Sequence, residues 1–317
     1  MKSKVKVATG RVSRHLAPMP IRNQRTARGA RVLALAGALL CAALPAKSAP
    51  SWWHFTSGHS EVWLIGAPNL APKNFNWDSH VVDQRLKGAS ALIIEPQAKG
   101  NLIGLAGDLF GAAHGLHSDT PLENGLPPPL RLHFQQIRTS IGQGPGKYAG
   151  WKPSAAGVLL TNDYLKAQNL ETGQTIKDVR HMARSAGVHE VASGTYEGLP
   201  IITAAEQLSP AGQQTCLAAS LHDIDQAPAR VRVAQDWSRG VIHPNPTDPA
   251  DQACFNAMPS LKNLNDHLIG SEADAVVDAL KRPGRSVAVF DLGATVMPGG
   301  ILDRIRAHGV AVSAPVP

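Results

Sequence analysis

Apolar and polar positions alternate along Trp53-His-Phe-Thr56, turn at Ser57-Gly58, and resume in Glu61-Val-Trp-Leu-Ile65, which predicts a hairpin over 52–66. Val81, Val82 and Leu86 then recur at helical spacing, with Asp78 or Ser79 placed to cap and Gly88 to stop. Ala91-Leu-Ile-Ile-Glu95 follows as a short apolar run closed by Pro96, the pattern of a strand covered on both faces. The carboxyl-terminal end repeats this grammar. A helix carries Ala273, Val276, Val277 and Leu280, with Ser271 as its cap, and ends at Pro283-Gly284. Ser286–Leu292 reads as a strand, Ile301, Leu302 and Ile305 as a helix ending at Gly309, and Val310–Ser313 as a last strand. The middle, about 125–270, is mostly helical, as at Ser209-Pro210 ahead of Cys216, Leu217, Leu221 and Ile224. The expectation is an α/β fold: a mixed central sheet built from two βαβ-like ends around a helical insert.

The first 48 residues have a different character. Val32–Leu44 is an apolar run of 13 residues behind a flank rich in Arg and Lys. It is too short to span about 30 Å of hydrocarbon but suits the core of a secretory signal, and Ala46-Lys47-Ser48 supplies a small–any–small cleavage pattern. Residues 1–48 are therefore read as a signal peptide and 49–317 as a single exported domain, periplasmic or secreted, with no membrane span after cleavage near Ser48.

That division changes the meaning of the charge. The whole chain is formally +7, which by itself invites a nucleic-acid partner. Ten of the 31 basic residues and none of the 24 acidic ones precede Ala49, which leaves 21 basic against 24 acidic side chains in 49–317. A mildly acidic body is poorly suited to a phosphate backbone, so no nucleic-acid partner is expected. Loss of the leader also removes Cys41 and leaves Cys216 and Cys254, an even pair in an oxidising compartment, which points to one disulfide.

Familiar chemical motifs fail on their own terms. Gly142–Lys147 lacks the first glycine of a phosphate loop, since Ile141 stands there, and Tyr148 replaces its Ser/Thr. Ala183–Gly187 lacks the first glycine of a nucleophile elbow and lies in helical spacing. His114 and His117 can bring two imidazoles to one metal, although Gly115 and Ser118–Pro121 place them in a loop. More telling are the turns after strands: Gly66-Ala-Pro-Asn69, Gly293-Ala-Thr-Val296, and Glu95 between them. In α/β sheets, the carboxyl ends of strands are where sites are built.

These segments carry a resemblance. Ser51-Trp-Trp-His-Phe55, Val62–Asn69 and Leu92–Glu95 resemble the start of the TraB/GumN family, and Ala279–Gly284, Val287–Val296 and Gly300–Val312 resemble its end. Cys216-Leu-Ala-Ala219 and Asp236-Trp-Ser-Arg-Gly240 resemble one exported branch. The family is similar to erythromycin-esterase/ChaN-like proteins and to Tiki metalloproteases, which implies two Gly-x-x-His motifs and glutamates around a divalent metal. Gly66 and Gly293 match the glycines of those motifs, but the histidine positions are Asn69 and Val296. Glu95 matches the first glutamate, and the second has no counterpart near Val191-Ala192. Asn is a poor ligand for transition metals and Val is none.

The resemblance therefore implies the fold without the activity. The expected protein has no cofactor and acts in binding or interaction with an unknown protein or ligand of the cell envelope. The alternative is a metal-dependent, peptidase-like hydrolase whose divalent metal is held by rearranged ligands, Glu95 with His114 and His117. The strands ending at Gly66, Glu95 and Leu292 are expected in one sheet. Asn69, Glu95 and Val296 are expected to cluster at its edge, with Glu95 met either by solvent or by a nearby donor, Asn69 or the Gly293–Thr295 N–H groups.

Overall fold

The computed structural model describes residues 49–99, 115–244 and 248–316, and only the backbone of 199–202. The leader read at 1–48 and His114 lie outside the described residues. The hairpin forms as expected, with β1 (Trp53–Ser57) antiparallel to β2 (Ser60–Ala67) and Trp53 opposite Leu64. A short β3 (Leu70–Pro72) and α1 (His80–Leu86) lead to β4 (Ala89–Ile94). Asp78 rather than Ser79 serves the start of α1, accepting from the His80 N–H at 3.1 Å.

The middle supplies β5 (Gln97–Ala98), α2 (Pro128–Ser140), α3 (Pro153–Ala167), β6 (Leu170–Thr172) and α4 (Gln174–Ser185). It continues with β7 (His189–Ala192), β8 (Thr195–Tyr196), α5 (Leu199–Glu206), α6 (Pro210–Trp237), α7 (Pro249–Ala257) and α8 (Pro259–Ala279). Helices α2, α3, α6, α7 and α8 all open on proline, whose fixed φ suits the first helical position and whose missing N–H is no loss there. Ser209 caps α6 as expected by accepting from the Gly212 N–H at 3.1 Å. The chain closes with β9 (Gly284–Asp291), α9 (Leu292–Val296) and α10 (Ile301–Ala307).

The five-stranded sheet has the order β1-β2-β9-β4-β7, so β9 inserts between two strands from the other end of the chain. It is mixed, because β1 is antiparallel while β2, β9, β4 and β7 run parallel. Their carboxyl ends at Ala67, Asp291, Ile94 and Ala192 therefore lie along one edge. Residues Ser286–Phe290 of β9 are buried without a break, the signature of a strand covered on both faces. Helices α1 and α4 pack together and on β9, while α8 and α10 pack together on the sheet. One core of Trp, Leu, Ile and Val side chains fills these layers. A second, around Phe134, Tyr148, Leu160, Leu217 and Leu221, holds α2, α3 and α6.

Three readings of the sequence are corrected. The helical middle contains a strand of the main sheet, since β7 pairs with β4 in parallel register. Ser271 is no cap: α8 starts at Pro259, and the Ser271 hydroxyl bonds back to the Leu268 carbonyl at 2.8 Å. Val310–Ser313 forms no strand, and the chain instead pairs Val316 with Trp52 through an isolated bridge. The tail thus meets the sheet only beside the start of β1, at Trp52.

Cys216 on α6 and Cys254 on α7 form a disulfide, with Cα atoms 4.7 Å apart and 38 positions between them in the chain. Replacing both with Ala should lower unfolding free energy by about 2–4 kcal/mol, as closing a loop of this length restrains the unfolded chain. Denaturant titration of oxidised protein and the double variant checks this. Among the described residues, no helix is long and apolar enough to cross a membrane.

Candidate functional site

The turns leaving the parallel strands are built tightly. A Cβ on Gly66 would lie 2.9 Å from Leu292 Cδ1 and 3.2 Å from its Cα, so the glycine lets the start of α9 cross directly over the end of β2. The Gly66 carbonyl accepts from Trp237 Nε1 at 2.6 Å. Trp237 is fully buried, ends α6, and packs on Trp77 with ring centroids 5.3 Å apart. Just beyond it, Gly240 has φ +82° and lies so close to the Ala49 carbonyl that a Cβ would approach it to 2.9 Å, while its own carbonyl accepts from Ser51 at 2.8 Å. The 236–240 segment thus ties the helical layer to the sheet and to the start of the described chain.

At this edge the structure groups carboxylates. Glu95 follows β4, Asp291 ends β9, and Glu272 projects from α8. Ala91 and Ile93 face α8 across a cavity that Ser271 and Ala275 also line, so strand alternation puts Glu95 on the same side as Glu272. Glu272 is only 6% exposed. Burial, then the neighbouring charges of Glu95 and Asp291, push its carboxyl up to about 8. Burial and Asp291 also raise Glu95, with Arg180 of α4 opposing. Asp291 is raised by burial as well, against the N–H groups of Ala294 and Gly293 and the charge of Arg230.

The sequence-derived residues other than His114 have definite places. Asn69 is exposed and shares a cleft of about 260 Å3 with Gly293, Asp291, Arg230 and His243. Glu95 is half-buried, and its carboxylate has no hydrogen bond among the described residues. The N–H groups proposed as its donors serve Asp291 instead, whose Oδ1 caps α9 by accepting from Ala294 at 2.8 Å. Val296, at the end of α9, packs against the main core. His117 stacks on Trp151 with centroids 4.0 Å apart and contacts the Gly150 carbonyl through Nδ1 at 2.9 Å. The charges acting on Glu95 are Asp291 and Arg180, on other elements.

Sequence reasoning missed Glu272 and Asp291. Glu272 sits three residues after Ile269 and four before Val276, on the stripe of α8 that faces the core. Asp291 interrupts an otherwise apolar strand immediately before Leu292-Gly293. A charge on an apolar stripe and one at the end of a buried strand were the available signals.

The fold and its edge define a class: an α/β protein with a parallel sheet core and an acidic group where the strands end. The TraB/PrgY/gumN family model matches residues 51–314, and the chain belongs to that family. No curated protein and no solved structure matches it. The family resemblance implies a divalent metal, and the residues present do not fit one. The two family histidine positions, Asn69 and Val296, supply no imidazole, His243 in the same cleft is paired with Asp236, and Asp291 is engaged with backbone N–H groups. Among the described residues, no three His, Cys, Asp or Glu side chains are arranged to hold an ion.

Proposed function

We propose that this TraB/PrgY/gumN-family protein is exported, with residues 1–48 as its leader removed near Ser48. In this reading residues 49–317 act as one domain in binding or interaction at the cell envelope, as a degenerate relative of metal-dependent hydrolases without a cofactor. The observation that carries the reading is the way the sheet edge handles charge. Glu272, pushed up to about 8, is neutral at physiological pH, and Arg180 and Arg230 oppose the charge on Glu95 and Asp291. Both arginines act at a distance, since Arg180 is paired with Glu190 and Arg230 with Asp223, so the proton on Glu272 is the chief relief of charge where the strands end. The Cys216–Cys254 disulfide supports an oxidising compartment. The partner is an envelope protein or ligand, and the acidic balance of 49–317 argues against nucleic acid.

One observation favours the alternative of an active metal-dependent hydrolase, namely the grouping of three carboxylates at a site-forming edge. A screen with peptide and ester substrates in Mn2+, Co2+ or Zn2+ separates the two. The expected result is no turnover that depends on Glu95. Metal-dependent turnover abolished in Glu95→Gln would overturn the proposed reading, and its loss in His117→Ala as well would point to the rearranged ligand set.

A further inference from the structure

Next to the edge cleft, with which it shares Asn69 and Arg230, the helical layer forms a cavity of about 660 Å3 between α3, α6, α7 and the start of α8. This is within the size range of sites for small molecules. Among the described residues its wall is mainly apolar, with Trp151, Val158, Leu159, Phe255, Met258 and Leu261. Val158, on the solvent side of α3, is 59% exposed, one of the few large apolar side chains so open among the described residues. The disulfide joining α6 to α7 also lines the cavity, so its two sides are covalently held.

The polar part of the wall has a definite sign. Asp223, Asp251 and Arg230 all face the cavity. Arg230 donates through Nη2 to Asp223 and is thereby engaged. Asp248, which also acts on Asp251, is engaged by His222 at 2.9 Å and by the Ala250 N–H at 2.8 Å. Asp251 has no hydrogen bond or ion pair to its carboxylate among the described residues, and burial, Asp223 and Asp248 disfavour its charge more than the distant Arg230 and His222 favour it. An apolar chamber thus carries one unmatched carboxylate in an acidic surrounding. Its complement is a molecule with an apolar body and one cationic head.

We propose that this cavity is a binding site for small cationic amphiphiles, compounds with an alkyl or aryl body and a single amine or quaternary ammonium group. The body displaces water from Trp151, Leu159, Phe255 and Met258, and the ammonium pairs with Asp251. A neutral chain gains only the first of these contributions. An anionic chain meets a net negative wall, because the one nearby guanidinium is already paired.

Calorimetric titration of the full chain with three probes of equal length tests this: decyltrimethylammonium, decanol and decanoate, each below its micelle concentration. The expected result is one equivalent of decyltrimethylammonium, bound at least about tenfold more tightly than decanol, a difference of roughly 1.4 kcal/mol, with decanoate weakest. Asp251→Asn should erase the preference for the cation while leaving decanol unchanged. Val158→Lys changes a side chain already in solvent and should weaken the cation and favour decanoate, with the melting temperature unmoved. Equal binding of the three probes, or a cation preference that survives both variants, would overturn the proposal, as would no binding at all. None of these variants touches Glu95, Glu272 or Asp291, so the outcome leaves the reading of the sheet edge to its own test.

Discussion

Replacing Trp237 with Ala is expected to destabilise the protein by about 5 kcal/mol, enough to unfold a domain of ordinary stability. The indole is fully buried among the side chains of the main core. Truncating a buried Trp to Ala costs about 3–5 kcal/mol through lost transfer energy and the cavity left behind. The variant also strips the Gly66 carbonyl of its 2.6 Å donor, and a buried acceptor left unpaired costs about 1–3 kcal/mol. Trp237→Phe separates the two contributions, since it keeps most of the packing and removes the N–H. It should lose about 1–2 kcal/mol. Urea denaturation of the three proteins checks the order, and an Ala variant within 1 kcal/mol of wild type would show that α6 does not anchor the sheet edge.

The second large effect depends on pH. Glu272 holds its proton more tightly in the folded chain, near 8, than in the unfolded chain, near 4.5. Folding stability from this group is therefore fully present below about 4.5, declines as pH rises, and is lost through 8. Glu272→Gln cannot ionise, so it escapes the decline. At pH 5 the variant should match the wild type closely, and at pH 9 it should be more stable by roughly 4 kcal/mol. The difference between the two proteins cancels the titrating groups remote from the cluster, leaving Glu272 and its coupling to Glu95 and Asp291. A wild type that keeps its stability at pH 9 relative to the variant would mean that a cation, rather than a proton, balances the cluster.

What the sequence revealed and what it hid have physical causes. Strands β2, β4 and β9 were legible because burial on both faces demands unbroken runs such as Val62–Ile65 and Val287–Phe290. Strand β7 was not, because an edge strand of only four residues, His189–Ala192, is half-exposed and needs no apolar run. Val310–Ser313 has the composition of a strand, but composition cannot say whether a sheet edge is free to receive it. The start of α8 was misplaced because Ser271 before Glu272 imitates a cap, while the true start at Pro259 precedes a polar stretch.

The candidate site was legible at its strand ends and illegible in depth. Gly66, Glu95 and Gly293 were found through motif spacing, and each lies at the carboxyl edge of the sheet or in a turn leaving it. Glu272 comes from a helix far along the chain, and only tertiary packing brings its charge to Glu95 and Asp291. Arg230, which acts on Asp291 from α6, is likewise invisible in local spacing. The same holds for the cavity of the helical layer, whose walls join residues from Asn69 to Leu261.

The central claim is that a proton on Glu272, rather than a metal ion, relieves the charge of the carboxylates at the sheet edge. Elemental analysis by mass spectrometry of untagged protein, purified from cells grown with added Mn2+, Zn2+ and Fe2+, tests it most directly. With His243 paired to Asp236 and Asp291 held by backbone N–H groups, affinity for a divalent ion should be too weak to survive gel filtration, and the content should fall far below one equivalent. One equivalent of a single metal, retained through gel filtration and lost in Glu95→Gln, would contradict the account.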